Sequence, residues 1–409
     1  MRVAIVGSGV SGLVSAYLIG RRHEVVLFEA DDRLGGHVHT WDVELDRRRY
    51  AVDTGFIVFN ERNYPNFTKL LNQLNVPSQP TTMSFGFRCD ATNMEYNGSS
   101  ARQLFAQKRN ALRPRFYKML ADVVRFNRHA AHDIANGSAT ASVGEYLEQK
   151  RFSKIFRDQY LLPMASSLWS TPRAQALEMP ARFLVQFFDN HGMLGVDGRP
   201  EWQVVSGGSA RYVEALMRAY RGTVRLRTPV RRVERQTDGV LVNGERFDEV
   251  VFACHSDQAL AMLADATPVE RSVLGALRYQ SNEMLLHTDV SVLPRRQRAW
   301  GAWNYRVQSG DDAAATLTYN MNALQSIDAP VTFCATLNSA EFIAPDKILG
   351  RAHYMHPAFS REGVAAQLRH SEVSGLDRTH FCGAYWGSGF HEDGVRSAVA
   401  VAQTFGESL

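Results

Sequence analysis

Gly7, Gly9 and Gly12 form a Gly-x-Gly-x-x-Gly spacing that follows the apolar run Arg2 to Val6 and precedes an apolar helical pattern through Val14, Tyr17 and Leu18. The chemistry of such a turn is anion binding. Gly7 makes the tight turn, Gly9 lets the backbone approach a pyrophosphate, and Gly12 lets the helix pack on its strand while the N–H groups around Ser11 face the anion. A second run, Glu24 to Glu29, completes a strand–helix–strand unit, and Glu29 lies 22 residues after Gly7, where a carboxylate can accept both ribose hydroxyls. Glu29 and the adjoining Ala30 are therefore expected at the adenosine half of a dinucleotide.

The residues that follow select which dinucleotide. Arg33-Leu-Gly35-Gly36-His37 and then Asp53-Thr-Gly55-Phe56 add a second glycine-rich surface that NAD does not require. On these residues the chain resembles the flavin-containing amine oxidase superfamily, which includes monoamine oxidases, protoporphyrinogen oxidases and phytoene desaturases. The resemblance implies FAD, with Arg33, Gly35, Gly36 and His37 along the pyrophosphate and ribitol and Gly55 and Phe56 near the isoalloxazine ring. His37 stands where many members carry Arg, which leaves its charge open. The backbone at Val230 is implied to meet the adenine, the alternative being a plain sheet residue.

Near the carboxy terminus, Thr379 to Gly383 reads as a strand running into glycines, and a helix is expected to start at Gly394 and Val395 and run to about Gln403. In the superfamily the strand ends near the ribitol and the helix N-terminus points at the flavin pyrimidine, so Gly383, Gly394 and Val395 join the cofactor set. A helix end carries about half a positive charge and stabilises the negative charge a flavin gains on reduction. Ala384 departs from the family's usual Asp. His391, Glu392 and Tyr385 are the candidate catalytic residues: the first two as bases ahead of that helix, Tyr385 as a cavity wall. Asp393, and equally Glu392, can instead cap the helix.

The stretch Tyr279 to His287 lacks the lysine that holds a water at the flavin in many amine oxidases, which speaks against simple amine oxidation; His287 or Glu283 are the substitutes in reach. Cys382 lies upstream of the glycines rather than in the flavin-tethering position, so the FAD is expected to be noncovalent. A second fingerprint for a nicotinamide is missing.

These residues need a scaffold, and 409 residues with 45% hydrophobic content can supply two domains with large cores. The fold class expected is α/β with an α+β substrate part: a Rossmann-like FAD-binding domain from residues 1–75, 200–265 and 365–409, and an amine-oxidase-like mixed-sheet and helical substrate domain from 76–199 and 266–364. Strands are expected over Val224 to Arg235, Gly239 to Val242 and Phe247 to Cys254, with turns at Asp238-Gly239 and Asn243-Gly244. Residues 101–200 read as mostly helical and 266–364 as strand-rich.

Composition excludes several classes. The 46 basic and 42 acidic residues fall far short of a nucleic-acid binder's bias. The four cysteines, dispersed and without CxxC, argue against a zinc site or redox dithiol, no metal is expected, and a reducing, cytoplasmic setting fits. No apolar run reaches a membrane span, and the amino terminus turns into glycines too soon for a signal peptide. From Arg102 to Arg128 there are eight Lys or Arg and one acid, interleaved with apolar residues. Such a stretch suits peripheral contact with an anionic membrane or, more plainly, a solvated helix face.

A narrower resemblance adds a substrate class. Ala253-Cys-His255-Ser-Asp257, Trp300-Gly-Ala-Trp303-Asn304-Tyr305 and Gly389-Phe-His391-Glu392-Asp393-Gly394 resemble bacterial predicted NAD/FAD-binding flavoproteins and the amino-terminal half of plant cyclopropane fatty acid synthases. This implies a hydrophobic, acyl-lipid substrate that gives a hydride to flavin N5. The alternatives are an amine oxidase or desaturase of a carotenoid- or porphyrinogen-like molecule, or a non-catalytic flavoprotein partner of a lipid methyltransferase.

Overall fold

The computed structural model describes residues 1–136, 141–195, 200–308 and 316–409. Its first layer is a five-stranded parallel sheet in the order Thr223–Arg225, Glu24–Phe28, Arg2–Val6, Glu249–Phe252 and Thr379–Phe381. A parallel sheet is covered on both faces, which explains why its strands read as continuous apolar runs. One face packs on the helices Val10–Ile19, Ala210–Ala219 and His391–Thr404. The other packs on the antiparallel meander Val233–Gln236, Gly239–Val242, Glu245–Phe247 and on the helices Ser256–Met262, Pro268–Ala276 and Arg361–Gln367. Val273 and Leu274, past the expected edge at 265, and Ala366, within the expected 365–409 segment, belong to this second core. The expected edge at 199–200 falls partly outside the described residues.

One expected strand, Val224 to Arg235, is two. Thr223–Arg225 joins the parallel sheet and Val233–Gln236 joins the meander, because the chain turns between them at Arg227 (φ 50°) and Pro229. Asn243 fixes the detour, accepting from Arg231 N–H at 2.8 Å and donating to the Pro229 carbonyl at 3.0 Å. Val230 therefore lies on a loop, packed against the second core, and not in a strand.

The second part is built on a seven-stranded sheet in the order Ile348–Ala358, Arg278–His287, Cys334–Leu337, Thr316–Asn320, Trp303–Val307, Phe85–Cys89 and Met94–Asn97. All its ladders are antiparallel except that between Trp303–Val307 and Phe85–Cys89. A helical layer from Pro114–Ala135 to Ala181–Asn190 encloses its own core. Within it Arg157–Leu161 is a π turn ahead of Pro163, whose missing N–H cannot complete an α-helical ladder.

One buried carboxylate fastens the parts together. Asp53 accepts from Ser209 N–H (3.0 Å), Ser209 Oγ (2.7 Å), Thr40 Oγ (2.5 Å) and Gln325 Nε2 (3.0 Å), while Gln325 Oε1 accepts Asp53 N–H at 2.9 Å. Thr40 and Asp53 flank the Gly55 segment, Ser209 opens the helix Ala210–Ala219, and Gln325 belongs to the substrate part. Burial raises the Asp53 pKa to about 6.

Candidate flavin site

At the carboxyl ends of the parallel strands, against the seven-stranded sheet, lies a cavity of about 680 Å³. Its wall includes Gly9, Val10 and Ser11 from the amino-terminal turn and Gly389, Phe390 and His391 from the carboxy-terminal helix start, so the two chain ends meet at one space. Ligands in open parallel sheets bind in this crevice.

The glycines of the cradle are there because other atoms occupy the Cβ positions. A Cβ on Gly12 would sit 1.9 Å from the Gly7 carbonyl oxygen, and one on Gly36 would sit 3.0 Å from Gly9 Cα. Gly9 differs: nothing lies within 4 Å of its Cβ position, and a side chain there would fill the cradle itself. Together with the free N–H groups that open any helix, this wall fits a long anionic dinucleotide.

Glu29 Oε2 accepts Ser8 N–H at 2.9 Å and Oε1 accepts Asp31 N–H at 2.9 Å, which fixes the carboxylate at the strand end; Ala30 is exposed beside it. Arg33 does not reach into the cavity. Its guanidinium donates to the Gly36 and Val38 carbonyls at 2.8 and 3.0 Å and so shapes the loop that presents Gly35 and His37. Gly55 and Phe56 lie against that loop, Phe56 N–H donating to the His37 carbonyl at 2.9 Å.

The carboxy-terminal helix begins at His391, three residues earlier than expected. Asp393 accepts Phe390 N–H at 3.1 Å and Ser388 N–H at 3.0 Å and closes the first turn, which pulls the helix start back. Gly394 is a packing glycine here: its Cβ would meet Val10 Cγ1 at 2.6 Å, so it lets this helix sit beside Val10–Ile19. Val395 points into the first core, away from the cavity, and its side chain is not a cofactor contact. Gly383 N–H donates to Ser397 Oγ at 2.9 Å and its backbone borders the cavity together with Ala384.

Of the candidate bases, Glu392 is turned away from the cavity. Its carboxylate accepts Asn66 N–H (3.1 Å), Asn66 Nδ2 (2.7 Å) and Phe67 N–H (2.9 Å), satisfying the orphan donors that open the helix Pro65–Gln73. It is a cap, not a base. Replacing Glu392 with alanine is expected to lower stability by about 1–2 kcal/mol while leaving the flavin spectrum unchanged. Chemical denaturation alongside absorbance would check both.

His391 borders the cavity, stacked on Phe56 at 3.8 Å, with Nε2 2.6 Å from the Tyr212 hydroxyl. Burial pushes its pKa down to about 3, so it is neutral and a poor proton acceptor. Tyr385 lends a buried ring to the wall, edge-on to Tyr279. Neither suggested lysine substitute faces the site: His287 is buried on Thr336 Oγ at 2.7 Å, and Glu283 pairs with Arg351 at 2.8 Å.

The chain instead supplies residues that the sequence reading missed. His255, Tyr279 and His356 border the cavity beside His37, which stacks on Tyr354 with centroids 5.0 Å apart. Burial depresses the pKa of His37, His255 and His356, so the charge left open at His37 resolves as neutral. Tyr354 and His356 follow period-two spacing on one strand, a signal available in the sequence. Among the described residues the lining contains no Lys or Arg and one carboxylate, the exposed Glu201.

The model of the family described as flavin containing amine oxidoreductase matches residues 10–295. The chain belongs to this family. It is 28% identical over 292 residues to a carotenoid phi-ring synthase of Streptomyces griseus, a match covering 65% of this chain and 54% of that protein. The chain thus spans about half the length of the curated relatives it matches. Cyclohexylamine oxidase from Brevibacterium oxydans IH-35A superposes with TM-score 0.69 at 14% identity, covering 99% of both chains. The CLA-producing fatty acid isomerase from P. acnes superposes with TM-score 0.68 at 14% identity, covering 99% of this chain and 98% of that one. These two show a shared fold.

As a member of this flavin-containing family the chain binds FAD, and the glycine cradle described above fits that cofactor. Cys382 is buried against Ser15 Oγ at 3.6 Å and does not border the cavity. Among the described residues no helix is long and apolar enough to cross a membrane.

Proposed function

We propose that the enzyme oxidises a neutral, elongated apolar substrate, with a fatty acyl lipid as the substrate class. The observation that carries this reading is the wall beyond the glycine cradle: Met83, Phe85, Met164, Leu168, Phe187 and Trp303 and, among the described residues, no lysine or arginine. Among the described residues of such a wall, an ammonium group would lose its hydration with no buried carboxylate to meet it, and a free carboxylate would find no arginine. A neutral apolar chain incurs neither cost and gains about 25 cal/mol per Å² of surface removed from water.

FAD, when bound, supplies the two-electron acceptor. Gly9, Ser11, Gly35, Gly55 and Gly383 would hold it by backbone, with Glu29 at the ribose and the Val230 backbone near the adenine. The cavity's neutral histidines and aromatic rings would surround the substrate and exclude water from it.

The segment 102–128 supports delivery from a lipid surface. Phe116, Met119 and Phe126 face the protein interior, but Leu112 is 85% exposed at a turn flanked by Lys108, Arg109, Arg113 and Arg115. Gly98 and Ser99, which border the cavity, immediately precede this segment. A polyene substrate is the second reading, favoured by the carotenoid phi-ring synthase match.

One anaerobic experiment tests the proposal: the oxidised flavin absorbance is followed while acyl lipids in anionic vesicles, carotenoid precursors or diamines are added. Bleaching by the lipids alone is expected. Bleaching by diamines would overturn the reading, and bleaching by carotenoids alone would replace it with the second.

A further inference from the structure

Behind the cavity wall the buried amide of Asn282 and the half-buried amide of Asn338 form a hydrogen-bond relay that ends on His356. Its direction can be read from its origin, a backbone donor that cannot reverse. Glu283 N–H reaches Asn338 Oδ1 at 2.9 Å. Asn338 N–H donates to the Glu283 carbonyl at 2.9 Å, so the residue is held from both sides. With Oδ1 committed, Asn338 has its Nδ2 to offer, and that atom lies 2.6 Å from Asn282 Oδ1. Asn282 is left with Nδ2, which lies 2.8 Å from His356 Nδ1. An amide nitrogen only donates, so His356 Nδ1 must accept and carries no hydrogen. In a neutral imidazole the proton then sits on Nε2.

The relay spans three adjacent strands. Asn282 and Glu283 belong to Arg278–His287, His356 to Ile348–Ala358, and Asn338 follows Cys334–Leu337 with φ 51°. Asparagine tolerates that left-handed backbone better than most residues, and Asn282 is 1% exposed. Asn282 Nδ2 also donates to the Gln280 carbonyl at 3.4 Å, which agrees with its being the donor toward His356.

Among the described residues His356 Nε2 has no protein partner, and the ring borders the cavity with its centroid 5.3 Å from that of His37. We propose that His356 is a tautomer-locked hydrogen-bond donor to an acceptor atom of bound FAD, with Asn282 and Asn338 as the positioning residues that keep its proton on Nε2. A second proton would have to enter at Nδ1, where it would confront the Asn282 N–H. The titratable groups facing the ring are His37, His255 and, on its own strand, Tyr354; none is a carboxylate that would favour the cation. Burial acts in the same direction, lowering the pKa to about 4. The donor therefore stays neutral, and stays a donor, throughout the neutral pH range.

The test is ¹⁵N-histidine NMR of the FAD-loaded protein, with the His356 signal assigned by its loss in His356→Gln. Wild type is expected to show the proton on Nε2. Asn282→Asp replaces the donor by an acceptor and is expected to move the proton to Nδ1, weaken FAD binding roughly tenfold, as the loss of one hydrogen bond would, and shift the flavin absorption maximum. His356→Gln keeps an N–H and is expected to retain most of the affinity that His356→Phe loses. Should Asn282→Asp fail to fold, Asn338→Ala releases the Asn282 amide and is expected to give a mixture of tautomers. An Nδ1–H signal in wild type, a tautomer indifferent to Asn282 and Asn338, or wild-type FAD affinity in His356→Phe would overturn the proposal. None of these readouts depends on the substrate, so the outcome stands apart from that of the lipid reading.

Discussion

Gly55→Ala is expected to yield a folded protein that purifies largely without flavin. The added Cβ would lie 1.7 Å from the His37 carbonyl oxygen and 2.8 Å from its carbon. Both are backbone atoms, and the same oxygen accepts Phe56 N–H at 2.9 Å, so the two segments cannot separate without breaking the bond that sets their register. Overpacking of this kind costs about 1–3 kcal/mol. Here the strain falls on the loop that carries His37 and presses Gly36 against Gly9, which is the cradle itself. The second core is assembled from other segments and the first takes little more than Val38 and Phe56 from beside these residues, so the parallel sheet should survive. The expected result is a more than tenfold drop in flavin absorbance per protein, with an unchanged far-ultraviolet circular dichroism spectrum. A Gly55→Ala protein that retains full FAD would show that this loop does not hold the cofactor.

The glycine cradle was legible in the sequence because its constraint is local. Gly7 sits at φ 101° and Gly35 at φ 111°, conformations that other residues rarely adopt, and a spacing fixed by backbone geometry survives in any chain that uses it. The strands of the parallel sheet were legible for a similar reason, since burial on both faces demands unbroken apolar runs. The helix start at His391 was misplaced because a carboxylate pair at Glu392 and Asp393 looks the same whether it caps its own helix or another. Asp393 does the first and Glu392 the second, a difference set by where Asn66 and Phe67 arrive from a segment 325 residues away. The break at Arg227 carried no glycine or asparagine to announce its left-handed backbone. The spacing of His356 from Tyr354 was legible, but its role was not, because that role depends on Asn282 and Asn338, 74 and 18 residues upstream, which only the sheet brings together.

Acid is expected to unfold the protein steeply, beginning below about pH 6.5. His287, His356 and His391 have folded pKa values lowered by burial to about 4, about 4 and about 3, against about 6.5 in an unfolded chain. A group whose folded pKa is lowered contributes its full stability above the unfolded value and loses it as pH falls toward the folded one. Each such histidine forfeits up to about 1.4 kcal/mol per pH unit in that window, so the three together forfeit about 4. Asp53 acts with the opposite sign. Its folded value of about 6 lies above the 3.8 of an ordinary aspartate, so its burial costs least in acid, and acidification restores at most about 3 kcal/mol, only about half of it by pH 5. The histidines win. Urea denaturation at about pH 7.5, pH 6 and pH 5 is expected to show stability collapsing by several kcal/mol, and the slope should fall by about one proton in His287→Gln. His287 is the informative position because it lies away from the cavity, accepting Asp289 N–H at Nδ1 and facing Thr336 Oγ with Nε2, so FAD cannot account for its contribution. Stability that stays flat from about pH 7.5 to about pH 5 would mean that these rings are protonated in the folded protein, and the neutral cavity on which the apolar-substrate reading rests would have to be abandoned with them.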